Sequence, residues 1–178
     1  MSRFLEAWDQ LLDSALDADY DEQQMALFQI GLIFERHNPA LAGDQEIYDE
    51  ELSRELQRLM LSKDRLTDAI NMLLGWAANN RLPADACLYA VSRADSLIYL
   101  QPFLEFLRKQ GTRLKDDAAY QAVQILDTCA RNHADRIAQV APADLSQLLE
   151  QWQDSEDDLL ADKAAFVAKR LQNILGSA

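Results

Sequence analysis

Apolar and polar positions follow a helical period along almost the whole chain. From Ser2 to about Asp17, the residues Phe4, Leu5, Trp8, Leu11, Leu12, Ala15 and Leu16 fall on one stripe. Their i, i+4, i+7 spacing predicts a surface helix with one buried face. The pattern then changes. Met25 to Phe34 reads Met-Ala-Leu-Phe-Gln-Ile-Gly-Leu-Ile-Phe, and only Gln29 in it is strongly polar. A helix with no polar face must be enclosed by other elements, and the run is too short for a bilayer, which takes roughly 20 apolar residues. It predicts a central helix. Asp21 with Gln24 resembles a capping box at its start, and Arg36, His37, Asn38 and Pro39 read as its stop.

The same reading continues downstream. Asp44 is placed to cap a third helix with the stripe Tyr48, Leu52, Leu56, Leu59 and Met60. A short turn at Ser62 and Asp64 leads to a fourth, nearly all-apolar helix carrying Leu66, Ile70, Met72, Leu73, Leu74, Trp76 and Ala77, stopped by Asn79, Asn80 and Pro83. A short helix from Ala84 to Arg93 follows. Asp95 caps a sixth helix with Leu100, Phe103, Leu104 and Leu107, ended by Gly111, and Asp116 opens a seventh with Ala119, Ala122, Val123, Leu126 and Ala130. A piece near Ile137 precedes Pro142, a favoured first helical residue, and the stripe Leu145, Leu148, Leu149, Trp152. Ser155 with Asp158 is read as the cap of a last helix bearing Leu160, Ala164, Val167, Leu171 and Ile174, ending at Gly176. No strand pattern occurs. The expectation is a single all-α domain of about 8–10 helices, as antiparallel hairpins over approximately 2–37, 45–80, 95–131 and 142–175, stacked as a short solenoid or closed into a bundle.

Composition agrees. Five glycines and four prolines in 178 residues suit long helices joined by short turns. The charge changes the picture more. Seventeen basic against thirty acidic residues give a formal charge of −13, a field that repels nucleic-acid phosphates and anionic lipid and suits a basic protein partner. Cys87 and Cys129, each inside a helical pattern, read as small buried apolar side chains rather than a disulfide framework. The first residues carry charges where a signal peptide needs an apolar core, predicting a cytoplasmic protein.

Two segments of the second half echo each other. Pro102-Phe-Leu-x-x-Leu107 with Asp-Asp-Ala-Ala-Tyr-x-Ala from Asp116 is matched by Pro142-x-x-Leu-x-x-Leu148 with Asp162-Lys-Ala-Ala-Phe-x-Ala168. The offset is that of a two-helix solenoid unit. Over about 102–175 this resembles the HEAT and armadillo helical repeats, although the Val-Arg pair usual in the second HEAT helix is missing. The resemblance implies a stacked-hairpin fold whose hairpin turns line up along one edge. The turns supply Asp17, Asp19, Asp21, Glu22, Asp64, Asp116, Asp117, Asp154, Glu156, Asp157 and Asp158, while Arg36, His37, Arg81, Arg131 and His133 gather at the other ends. Helix dipoles alone produce much of this division, since acids favour helix starts and bases favour ends. Both histidines are accordingly expected as imidazolium ions at helix C-termini.

Little assembled chemistry is visible. His37 and His133 belong to no ligand motif, the cysteines form no zinc pair, and the glycines are scattered singly, so no phosphate-cradling loop is present. No cofactor is implied. Glu51 and Glu55 on the third helix, with Asp64 and Asp68 on the fourth, resemble the paired acids of Mg²⁺-dependent all-α nucleotide pyrophosphohydrolases, with three residues between the acids instead of two. A HEAT-like DNA-repair enzyme is opposed by the negative charge. Asp95 to Leu107 resembles a helix of the acidic chaperones for redox-enzyme maturation, whose Pro-Asp-His element is absent. The expectation that remains is a non-enzymatic protein-binding module, an adaptor, chaperone or toxin-neutralising partner. Its acidic helical surface would use Asp19, Tyr20, Asp21, Tyr99, Asp116, Asp117, Asp157 and Asp158. Tyr20 and Tyr99 enter because each falls off its helix's main stripe, whereas Trp8 and Trp152 lie on stripes expected to be buried.

Overall fold

A computed structural model describes residues 3–17, 19–41, 51–140 and 145–175. Ten α-helices and no strand occur among them. The chain divides into two compact units, Met1–Ile98 and Tyr99–Ala178. The expected Asp44 cap, Tyr48, Pro142 and Gly176 lie outside the described residues.

In the first unit, α1 (Arg3–Asp17) packs along α2 (Tyr20–Arg36). Trp8, on the stripe of α1, is buried with its ring centroid 6.4 Å from that of Phe34. The all-apolar run encloses as its pattern requires, with Ala26, Leu27, Ile30, Gly31, Leu32, Ile33 and Phe34 buried. The segment after it departs from expectation. Over the described residues 51–61 a continuous helix is replaced by the single turn α3 (Arg54–Gln57), capped by Ser53, whose hydroxyl accepts from Leu56 N–H at 3.3 Å. Leu52, Leu56, Leu59 and Leu61 are buried while Met60 is exposed. An alternation of this kind from Leu59 to Leu61 is extended chain, which a helical stripe cannot reproduce.

The reason such an irregular segment is tolerated lies on α2. Gln29 donates to the Glu51 carbonyl at 2.7 Å, and Arg36 Nη1 donates to the Leu56 carbonyl at 3.1 Å and to that of Gln57. The Leu61 N–H donates to His37 Nε2 at 3.3 Å. Side chains thus satisfy backbone groups that a longer helix would have paired internally.

Helix α4 (Lys63–Ala78) has Ser62 as its cap and packs against α5 (Ala84–Ser92) rather than against a long third helix. Its end is a Schellman motif. Arg81 N–H donates to the Trp76 carbonyl at 2.9 Å and Asn80 N–H to that of Ala77 at 3.2 Å, with Asn80 left-handed at φ 52°. Asparagine tolerates that conformation better than a residue with a bulky apolar side chain.

Helices α2 and α5 approach closely at Gly31, where an added Cβ would meet Arg93 Cγ at 3.4 Å and Ala90 Cα at 3.5 Å. Just beyond, the buried Glu35 carboxylate receives Arg93 Nη2 at 2.6 Å and Nε at 3.1 Å. Asn38 closes the latch. Its amide donates to the carbonyls of Arg93 and Ala94, both at 3.1 Å, and its Oδ1 accepts from Ala40 N–H at 3.1 Å.

In the second unit, α6 (Ser96–Gln110, beginning in the first unit) contains Pro102 in its interior and runs into a 3₁₀ turn at Gly111–Arg113. Gly111 touches α9 (Leu145–Gln153) so closely that an added Cβ would lie 2.6 Å from Leu148 Cδ2. Helices α7 (Asp116–Asn132), α8 (Ala134–Val140) and α9 pack on α10 (Asp158–Leu175), with Ala122, Val123, Leu126, Ile137, Leu148, Leu149, Trp152, Leu160, Val167 and Leu171 buried. Pro102 therefore does not begin a helix. Asp116 is the first residue of its helix and Asp162 the fifth of its own, so the echoed segments occupy different places in their helices.

Removing one partner of a buried ion pair strands the other charge in a low-dielectric site. Arg93→Met is expected to lower the unfolding free energy by about 3 kcal/mol in urea titrations, and Glu35→Met in the same chain to restore most of it. Simple additivity of the two losses would contradict the latch.

Candidate functional site

The acidic helix starts divide by unit. In the first, the cap of α2 is Asp19, not the Asp21–Gln24 pair. Asp19 Oδ1 accepts from Glu22 N–H at 3.1 Å, and the Asp19 backbone is extended, with φ −67° and ψ 174°. One carboxylate oxygen is thereby spent on the helix end, as capping requires. Asp21 and Glu22 fill the first turn, both exposed, and Tyr20 between them and the cap is 67% exposed. Asp19, Tyr20 and Asp21 thus form one outward-facing corner.

In the second unit, Asp116 and Asp117 begin α7 and are exposed; Lys115 precedes them without a side-chain cap, and Asp116 adopts φ 49°. Asp157, rather than Ser155, caps α10. Its Oδ1 accepts from Leu159 N–H at 2.9 Å and Leu160 N–H at 3.3 Å, while Ser155 Oγ only supports Asp157 N–H at 3.2 Å. Asp157 is half-buried and Asp158 exposed.

Tyr99 must be withdrawn from the surface. It is 0% exposed. The buried face of α6 is wider than the four-residue stripe, taking in Tyr99, Leu100, Phe103, Leu104, Phe106 and Leu107. Burial pushes the Cys129 thiol up to about 12, against the pull of Tyr99, and pushes the Cys87 thiol up to about 12 with the help of the Asp85 charge. Neither is a thiolate near neutral pH, so neither has the character of a nucleophile.

The proposed magnesium acids are not brought together. Glu51 is exposed ahead of α3, Glu55 pairs with Arg3 at 3.7 Å, and Asp64 and Asp68 are exposed on α4. No group of three or more His, Cys, Asp or Glu side chains positioned for a metal ion occurs among the described residues. Glu55 on the one-turn α3 is directed to α1 instead, because the long helix that would have aligned it with Glu51 does not form.

His37 also differs from expectation. Its Nε2 serves as an acceptor for Leu61 N–H, a role only the neutral ring can fill. Its pKa is held below the ordinary 6.5, first by burial and then by the adjacent Arg36 charge.

One charged centre escaped the sequence reading. Asp127 on α7, buried, carries Lys163 Nζ at 2.8 Å and Arg131 Nε at 3.7 Å on Oδ2, and Arg170 Nε at 3.3 Å on Oδ1. The only local sign was the i, i+4 pair Asp127 and Arg131. Lys163 and Arg170 come from a different helix, which no spacing rule within α7 could reveal.

No family model, curated protein or solved structure matches the chain. The candidate site therefore stands on its own geometry.

Because the folded state disfavours the His37 proton, the unfolded chain binds it first as pH falls. The stability due to neutral His37 is complete above 6.5, declines as pH drops below it, and levels off once the folded ring is protonated too. His37→Gln retains an acceptor without titrating. Thermal melts at pH 7 and pH 5 are expected to differ less for this variant than for the parent; an equal difference would rule out the assignment.

Proposed function

We propose that this chain is a non-enzymatic protein-binding module that takes a basic partner on its exposed acidic helix starts. The observation that carries the reading is the corner at the start of α2, where Tyr20 stands 67% exposed beside Asp19, Asp21 and Glu22. An aromatic ring with a polar tip supplies contact area at small entropic cost, and flanking acids select the partner's charge. On the second unit, taken by itself, Asp116, Asp117, Asp157 and Asp158 would offer further acids at helix starts, in the reading of a HEAT-like set of hairpins. The formal charge of −13 draws a basic partner from a distance and disfavours nucleic acid. No helix among the described residues is long and apolar enough to cross a membrane. The two free, buried thiols suit the cytoplasm, where we place the protein.

The test is affinity capture on the immobilised chain, with mass spectrometry to name what binds. A Tyr20→Ala, Asp21→Lys, Glu22→Lys variant leaves the Asp19 cap in place and is expected to reduce capture roughly tenfold or more. Raising ionic strength well above 0.15 M, where screening already acts over about 8 Å, should release the partner. Capture that ignores both salt and the variant would end the proposal.

A further inference from the structure

Helix α10 carries two stripes. One, Leu160, Ala164, Val167 and Leu171, is buried. The other is Leu159, Lys163, Phe166 and Arg170, spaced i, i+4, i+7, i+11 and so also on one face. Leu159 and Phe166 are 71% and 53% exposed, the large apolar side chains left open in the second unit among the described residues. Cations bracket the ring, with Lys163 Nζ 5.5 Å and the Arg170 guanidinium carbon 4.9 Å from its centroid. The same two cations, with Arg131, converge on Asp127.

Three cations against one carboxylate leave an excess of two positive charges at that centre, in a chain whose formal charge is −13. Asp158 and Asp162 stand on the first two turns of α10, so the positive end of the stripe is the half holding Phe166 and Arg170, with Arg131 beside it on Asp127. Arg131 is the most open of the three cations on Asp127, at 54% exposure.

We infer that this face of α10 docks an acidic segment of a partner protein. A partner carboxylate meets Arg131 and Arg170, and an adjacent aromatic or aliphatic side chain packs on Phe166 and Leu159. A protein segment fits better than an anionic membrane. The cations are held in place on Asp127 rather than free to spread over headgroups, and the overall negative field opposes approach to a charged lipid surface. A short peptide meets the local excess within a Debye length, where the distant acids count for little. This surface uses none of the residues of the Tyr20 corner, so either proposal can fail without the other.

The experiment selects short random displayed peptides on the intact chain. The expected pool pairs Asp or Glu with an aromatic or leucine residue. Its affinity should fall roughly tenfold or more on both Phe166→Ala and Arg131→Gln, two open positions whose variants should keep the parent's circular dichroism and melting temperature. Four outcomes overturn the inference: no enriched pool, a neutral or basic pool, an acidic pool that binds both variants like the parent, or binding to phosphatidylserine vesicles that Phe166→Ala abolishes. Sedimentation adds a fifth: a concentration-dependent dimer lost in Phe166→Ala assigns the face to a second copy of the chain and also overturns it.

Discussion

Enclosure of α2 is the condition on which the first unit depends. From Ala26 to Phe34 most of the helix is buried, and burial of apolar surface is strong but has no direction of its own. Direction comes from the few polar groups the helix carries. Gln29, Glu35, Arg36, His37 and Asn38 each reach a named group on a neighbouring segment, and three of these residues bond to backbone carbonyls or amides of residues 51 to 61. A polar group taken out of water must find its partner or oppose folding. The hydrophobic run therefore decides that α2 is central, and its polar residues decide which segments lie where against it.

The charges follow a related logic. Two buried carboxylates, Glu35 and Asp127, draw Arg93 in one unit and Lys163, Arg131 and Arg170 in the other. Basic side chains are the minority in this sequence, and several are committed to interior groups. On the α10 face the cations outnumber the carboxylate that gathers them.

Helices governed by local rules were legible in the sequence. The all-α class, the enclosure of α2, the burial of Trp8 and Trp152 and the stops at Asn38 and Asn80 all follow from periodicity and end chemistry. Four features did not follow. Among the described residues 51–61 the α-helix is the single turn Arg54–Gln57, and side chains of Gln29, Arg36 and His37, distant in sequence, pair with backbone groups there. Tyr99 is buried because the inward face of α6 is wider than its four-residue stripe. The caps fell on Asp19 and Asp157 rather than two residues away, since several neighbouring acids could each have served. The cations around Asp127 came together through packing of α7 on α10. Of the candidate site, Tyr20 and the exposed acids were visible from the outset, while the α10 stripe was hidden because its exposed ring lies beside an equally regular buried stripe.

The two thiols have an experimental consequence. Each compact unit holds one cysteine, Cys87 in the first and Cys129 in the second, both inaccessible and both protonated with pKa values raised to about 12. An alkylating reagent can reach either sulfur only when its surroundings open. The protein thus carries a built-in pair of reporters, and the two modification rates, separated by peptide mapping, give the opening free energy around each thiol without any engineered label.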